Sequence, residues 1–243
     1  MYPSQIIRAQ VIRAQVIRAQ ADRGQQQGEG SGRQVWIPRN EVFRIRNIFE
    51  EHDYHVPPQY LPSGSLNVVD IGANVGLFAL YMKDLRHDCD VFCFEPAPQT
   101  VELLKRNTAH DSRIHVYPYA LSNHGEMASL YLNPRNSGEN TLRASAMTSS
   151  DSIRVPVKDA ASALHQTGLT YIDIIKIDTE GSEVEILQSL QAYLPYVGIL
   201  MIEYHSEQDR RTIDERLSTH LLFDAKICKP QLGIVKYINA RLI

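Results

Sequence analysis

Four side chains in the C-terminal third of the sequence are of types that move protons: Asp178, Glu180, Glu203 and His205. Asp178 and Glu180 follow the apolar run YIDIIKID (171–178), and Glu203 and His205 close the apolar run VGILMIEYH (197–205). If both runs are strands of one sheet, their ends bring these groups together at a single edge, where a site can form. A carboxylate or histidine there can take the proton from a hydroxyl or amide, and the near-neutral pKa of histidine suits His205 to that work. Asp178, Glu180 and Glu203 also offer the oxygen ligands that Mg²⁺ prefers, so a magnesium site is the competing use of the cluster. Glu183 and Glu185 open the helix that follows, where negative charge complements the helix dipole; Glu185 is assigned that role alone.

A second constellation lies upstream. Asp70-Ile71-Gly72-Ala73-Asn74-Val75-Gly76 joins an apolar run to a helical one. Glycine at such a turn lets backbone come close to a ligand. The dinucleotide fingerprint GxGxxG is not met, because Asn74 and Leu77 stand at its second and third glycine positions, and no GxxxxGK sequence occurs. A nicotinamide oxidoreductase and a nucleoside triphosphatase are therefore disfavoured. Glu95 ends the next apolar run, 23 residues after Gly72. A carboxylate at about that distance can accept hydrogen bonds from ribose hydroxyls.

The elements that must position these groups are readable as alternating strands and helices. LNVVDIG (66–72), DVFCFEP (90–96) and IHVYPYALS (114–122) read as strands; LFALYMKDL (77–85) and residues 99–107 read as the helices between them. This βαβαβ order implies a parallel sheet with helices on both faces. MASLYLN (127–133) and IRVPVKD (153–159) are further strands, separated by a polar loop over 134–152. A helix carrying Val184, Leu187 and Leu190 follows the strand 171–178. LLFDAKI and IVKYINA flank a Pro230–Gly233 turn and read as a closing hairpin. Residues 40–51 have helical spacing of Val42, Phe43, Ile45, Ile48 and Phe49.

The N-terminus is different. Residues 6–20 are a tandem repeat, IIRAQ-VIRAQ-VIRAQ. Five residues turn a helix by roughly 500°, and an odd period flips faces on a strand. Neither form gains a continuous apolar face, so residues 1–34 are expected to be a weakly helical, low-complexity extension with a flexible linker, and 35–243 the functional domain. Removal of residues 1–30 is expected to leave the melting temperature nearly unchanged. Arg8, Arg13 and Arg18 interrupt any secretory core, and no run of about 18 apolar residues occurs, so neither export nor membrane insertion is expected. The formal net charge of −3 gives no global case for nucleic-acid binding. Cys89, Cys93 and Cys228 lack metal or disulfide spacing, which fits a reducing cytoplasm.

VVDIGANVGLFAL, FEP, ALSN and IIKIDTEGSEVEIL together resemble the FkbM-type methyltransferases, a branch of the class I enzymes that use S-adenosyl-L-methionine (SAM). The resemblance covers roughly residues 60–205 and leaves the repeat outside. It implies a Rossmann-like α/β fold: a mostly parallel, seven-stranded sheet with an antiparallel C-terminal hairpin strand. It implies SAM as the cofactor, held by Asp70, Gly72, Asn74, Gly76 and Glu95, with Ala120, Leu121 and Ser122 near the adenine. It also implies methyl transfer, most often to oxygen. Combined with the acidic cluster, the reading is O-methylation of a small-molecule hydroxyl, such as a sugar or secondary metabolite, with Asp178, Glu180 and His205 as catalytic groups and no resident metal. N-methylation of an amide or peptide and a non-catalytic SAM-binding or interaction module are the alternatives. Acceptor specificity is expected from segments 35–60 and 134–152; the oligomeric state is not readable.

Overall fold

The computed structural model describes residues 6–11, 33–144 and 151–243. β1 (Ile6–Val11) and β2 (Arg33–Pro38) are followed by α1 (Phe43–Phe49), β3 (Asn67–Ile71), α2 (Leu77–Leu85), β4 (Asp90–Phe94), α3 (Pro98–Thr108) and β5 (Ile114–Tyr117). Then come β6 (Ala120–Ser122), β7 (Glu126–Tyr131), β8 (Ser152–Asp159), α4 (Ala160–Thr167), β9 (Ile172–Ile177) and α5 (Glu183–Ser189). The chain ends in β10 (Val197–Tyr204), α6 (Glu207–Arg216), β11 (His220–Lys229) and β12 (Leu232–Asn239).

The central sheet has seven strands in the order β11-β12-β10-β9-β3-β4-β5. The pairs β10–β9, β9–β3, β3–β4 and β4–β5 are parallel, and β12 runs antiparallel to both its neighbours. The expected mostly parallel sheet with a closing antiparallel hairpin is thus what the chain forms. Parallel strands buried on both faces need apolar side chains at consecutive positions, and all six residues of β9 are buried. Helices α1, α2 and α3 with β1 and β2 cover one face, around Phe78, Leu80 and Leu104. Helices α4, α5 and α6 cover the other, around Leu164, Leu187 and Ile213. From β3 the chain steps outward through β4 and β5 and returns to β9 on the other side of β3. The crevice at such a reversal is where open α/β sheets bind ligands.

Three local outcomes differ from the sequence expectation. Residues 114–122 are not one strand: Pro118, which has no N–H to give a ladder, separates β5 from β6. β6 joins a small second sheet in the order β6-β8-β7. Helices α4 and α6 arise without a strong apolar pattern, and their entries are set by caps: Asp159 accepts from the Ser162 N–H, and Ser206 from the Asp209 N–H.

The third difference is at the repeat. Ile6–Val11 are a strand, not weakly helical, and pair antiparallel with β2, placing Ile7 opposite Ile37 and Ala9 opposite Val35. One repeat unit suffices, because within six residues the alternation Ile7, Ala9, Val11 supplies an inward apolar face and β-branched residues favour the strand. Val11, Val35 and Ile37 are fully buried in the core. β2 is anchored by reciprocal bonds between the Trp36 backbone and the Asn107 amide, at 2.7 and 2.9 Å, and by the Arg106 guanidinium 3.5 Å over the Trp36 ring. The rest of the repeat, residues 12–20, lies outside the described residues, as do residues 145–150 of the long polar loop.

Candidate active site

A cavity of about 810 Å³ opens at the carboxyl ends of β3, β9 and β10, lined among others by Tyr54, Asn74, Asp178, Glu180, Glu203 and His205. Beside it, beneath Ser137–Leu142, a recess of about 50 Å³ runs between Gly72, Glu95, Ala120 and Leu121.

The glycine loop forms the wall between the two. Gly72 sits at φ +77°, and its N–H and that of Ala73 both donate to the Phe94 carbonyl at 3.0 Å. A Cβ at Gly72 would overlap the Asp178 carbonyl oxygen. Glycine is required here by the protein's own backbone, whereas the sequence reading assigned its freedom to a ligand. Gly76 caps α2 at φ +88°, and a Cβ there would lie 2.6 Å from Leu104 Cδ1. Asn74, also left-handed at φ +47°, donates its N–H to Glu95 Oε2 at 3.0 Å, while its own Nδ2 is buried without a partner. Glu95 Oε1 accepts from the Ala97 N–H at 2.9 Å. Burial pushes the Glu95 carboxyl up to about 7 against the pull of these two amides.

Of the residues assigned to the cofactor, Gly72, Asn74 and Glu95 line a cavity; Asp70, Gly76 and Ser122 line neither. Asp70 is fully buried, and its Oδ1 lies 3.1 Å from Lys176 Nζ. Burial raises its pKa and Lys176 opposes the rise. Lys176 in turn donates to the Gly72 carbonyl at 2.7 Å and stands 3.5 Å from Asp178 Oδ2. Its burial favours loss of its proton, but these carboxylates hold its pKa above the ordinary value. Asp70 thus acts on the loop through Lys176. Ser122 is buried, its hydroxyl 3.5 Å from Asn123 Oδ1.

The acidic turn after β9 is built around Glu183. This fully buried carboxylate accepts from the Thr179 N–H, the Thr179 hydroxyl and the Gly181 N–H, each at 3.0 Å. It closes the turn as well as heading α5, and its pKa lies below the ordinary value: burial opposes this, but His205 and the turn amides prevail. Glu180 occupies φ +56°, which aims its carboxylate at His205. His205 Nε2 is 3.1 Å from Glu180 Oε2 and 3.9 Å from Glu203 Oε1, and Nδ1 is 3.4 Å from Glu183 Oε1. Burial favours the neutral ring, but Glu180 and Glu183 overcome it and push His205 up to about 11. The imidazole is thereby held as a cation between Glu180 and Glu183, although neither ring nitrogen makes a hydrogen bond, which argues against the expected role of His205 as a base. Glu185 meets Arg143 at 2.9 Å as well as heading α5.

Glu203 ends β10 facing the cavity. Tyr54, buried against Phe78, donates its hydroxyl to Glu203 Oε2 at 3.5 Å. The alternative magnesium set, Asp178, Glu180 and Glu203, does not converge as such: Glu180 turns to His205, and the atoms that come within 4.8 Å of one another belong to Asp178, Glu203 and His205. Both segments expected to shape the acceptor pocket contribute to it, through Arg44, Asn47 and Tyr54 on one side and Arg135, Asn136 and Glu139 on the other. They are tied together: Glu41 accepts from the Ser137 N–H at 2.7 Å and its hydroxyl at 3.0 Å, and Arg44 donates to Asn136 at 2.9 Å. Thr141 donates to the Glu180 carbonyl at 2.6 Å. Lys229–Gln231 of the hairpin turn carried no sequence signal for a site, because nothing in their spacing relates them to it.

The profile of the Methyltransferase FkbM domain matches residues 70–224. The methyltransferase sdnD of Sordaria araneosa is 30% identical over 179 residues, 61% of this chain and 68% of that protein. The hexuronic acid methyltransferase AglP of Haloferax volcanii is 24% identical over 77% of this chain and 74% of its own length. Among solved structures, the fibrillarin pre-rRNA processing protein of Methanococcus jannaschii superposes over 98% of this chain and 83% of its own, with a TM-score of 0.51 and 13% identity. That likeness is one of fold.

Proposed function

Because the chain belongs to the FkbM methyltransferase family, we propose that it moves the methyl group of SAM to a hydroxyl oxygen of a small molecule. The observation that carries this reading is the 810 Å³ cavity, in which the glycine-loop wall faces Asp178, Glu180 and Glu203 across one sheet edge. The residues present fit SAM. Asn74 Nδ2 is a buried donor with no partner in the protein, and Glu95 stands where ribose hydroxyls can be accepted. Ala120 and Leu121 line the smaller recess beside Glu95, on the side where the adenine is expected.

When bound, SAM supplies an electrophilic methyl carbon on a sulfonium sulfur. The chain's residues hold and orient: Gly72, Asn74 and Glu95 keep the cofactor side, Lys176 fixes the Gly72 carbonyl, and the acidic edge faces the acceptor. Direct displacement depends on such positioning above all. Lys176 and protonated His205 supply the positive charge among the carboxylates. The carboxylates facing the cavity are suited to taking the proton of a hydroxyl acceptor. The domain is taken as residues 35–243, with residues 1–34 contributing β1. Among the described residues no helix is long and apolar enough to cross a membrane.

Calorimetry with SAM tests the reading. Glu95→Ala is expected to weaken binding by about 1–3 kcal/mol through lost charged hydrogen bonds. Labelled SAM incubated with a metabolite extract is expected to yield labelled product and S-adenosylhomocysteine. SAM binding with no transfer would favour a binding module, and binding of NAD but not SAM would overturn the assignment.

A further inference from the structure

The acidic edge holds more carboxylates than cations, and the distances show which one is left over. Lys176 Nζ lies 3.1 Å from Asp70 and 3.5 Å from Asp178. His205 lies 3.1 Å from Glu180 and 3.4 Å from Glu183, but 3.9 Å from Glu203. Glu183 is also occupied by three donors of its own turn. Glu203 keeps one long hydrogen bond, 3.5 Å from the Tyr54 hydroxyl, and opens on the cavity. We propose that Glu203 is the catalytic residue that takes the acceptor's proton, and that the site therefore serves an uncharged hydroxyl acceptor. This rests on the methyltransferase reading.

The other candidates are excluded by their partners. Asp178 is opposed by Lys176, Glu180 is paired with His205, and His205 already carries its proton. Around Glu203 the charged and titratable groups are Asp178, Glu180, Lys176, His205, Tyr54 and Cys228. Burial first, and then Asp178 and Glu180, push the Glu203 carboxyl up to about 8 against His205 and Lys176. A base poised near the working pH is the efficient one. A positive sulfonium placed in the same cavity stabilises the carboxylate, so the methyl donor ionises the base as it arrives.

The step balances. The acceptor oxygen forms a bond to the methyl carbon as the sulfur–carbon bond breaks, and that electron pair stays on sulfur as a thioether. The oxygen's proton passes to Glu203 and then to solvent. A carboxylate acceptor needs no base and would meet the charges of Asp178 and Glu203, so the geometry selects against it.

The test does not need the acceptor. Calorimetry of SAM binding to the full chain near pH 7, in buffers of different ionisation enthalpy, reads the protons released. Wild-type protein is expected to release a fraction of a proton approaching one with SAM and far less with uncharged-sulfur S-adenosylhomocysteine. The release should vanish in Glu203→Gln while SAM still binds, about tenfold more weakly because the linkage that releases the proton is lost. Transfer of labelled methyl to extract metabolites should fall about 10²–10⁴-fold in that variant. If Glu203→Gln does not fold, the pH dependence measured in Glu95→Gln protein decides, because Glu95 is itself pushed up to about 7 in the cofactor site: release centred between about pH 7 and 8 and absent near pH 5 supports the assignment, and a flat profile overturns it. Undiminished proton release or transfer in a folded Glu203→Gln also overturns it. Wild-type protein that fails to bind SAM refutes the methyltransferase reading instead, a result distinct from either.

Discussion

Replacing Gly72 by alanine should be among the most damaging single-methyl changes available to this chain. The φ of +77° is left-handed, which costs a residue with a Cβ about 1–2 kcal/mol. The added carbon would also overlap the Asp178 carbonyl, and backbone, unlike a side-chain tip, cannot rotate away. Moving it strains the turn by about 1–3 kcal/mol and threatens the Asp178 N–H bond to the Ile71 carbonyl, 3.0 Å long and worth about 1 kcal/mol. The loss should reach about 3–6 kcal/mol, a large share of the roughly 5–15 kcal/mol that stabilises a typical domain. Gly76→Ala is the control. Its φ is equally left-handed, but the carbon it meets is Leu104 Cδ1, the end of a flexible side chain, so it should cost about 1–3 kcal/mol. Urea unfolding of the three proteins measures both losses. A Gly72→Ala protein within about 1 kcal/mol of wild type, or one more stable than Gly76→Ala, would refute the claim that Asp178's backbone is what demands glycine.

Lys176→Met removes the counter-charge of fully buried Asp70 and should cost about 3–5 kcal/mol; adding Asp70→Asn should restore much of it, and failure of that rescue in urea unfolding would show that the pair is not coupled. His205 is raised from about 6.5 to about 11, so its contribution to stability is complete below about pH 6.5 and lost as pH rises through about 11. Wild-type protein should accordingly lose more stability between about pH 7 and 10 than His205→Gln, and equal losses would mean that the imidazolium is not held by Glu180 and Glu183. Removing residues 1–32 strips β1 from β2 and exposes the core that Val11 covers. At about 1.5–3 kcal/mol for a buried aliphatic side chain, a clear fall in melting temperature is expected, and an unchanged one would return the segment to the status of a loose extension.

Much of this was legible in the sequence, and the reasons for the rest are physical. Strands β3, β4, β9 and β10 are buried on both faces, so their apolar runs are dense enough to be recognised without a partner. The glycine loop and Glu95 were legible because a strand end, a turn and the next strand end fall at fixed sequence distances. Charge state was not. His205 and Glu203 sit two residues apart on the same strand end, and only the three-dimensional neighbours make one a fixed cation and leave the other a carboxylate without a close cation. Asp70 and Gly76 belong to the motif but act from behind it, a distinction that spacing does not carry. The strand at Ile6–Val11 was hidden because its partner lies beyond 21 intervening residues.

The cofactor side and the acceptor side of the site are one mechanical unit. The register that sets Asp70 beside Lys176 across β3 and β9 also brings the two following turns into contact. Lys176 donates to Gly72, the Asp178 N–H donates to Ile71, and Gly72 leaves room for the Asp178 carbonyl. The Gly72 and Ala73 amides then tie the loop to β4, and Asn74 ties it to Glu95. A displacement reaction is sensitive to misplacement of about 1 Å, and here the separation between methyl donor and proton acceptor is set by backbone contacts between adjacent strand ends. The acceptor walls are built differently, from segments 35–60 and 133–143 joined by side-chain bonds such as Glu41–Ser137 and Arg44–Asn136. Those bonds can be exchanged without touching the β3–β9 junction, so acceptor choice can change while the geometry of transfer stays fixed.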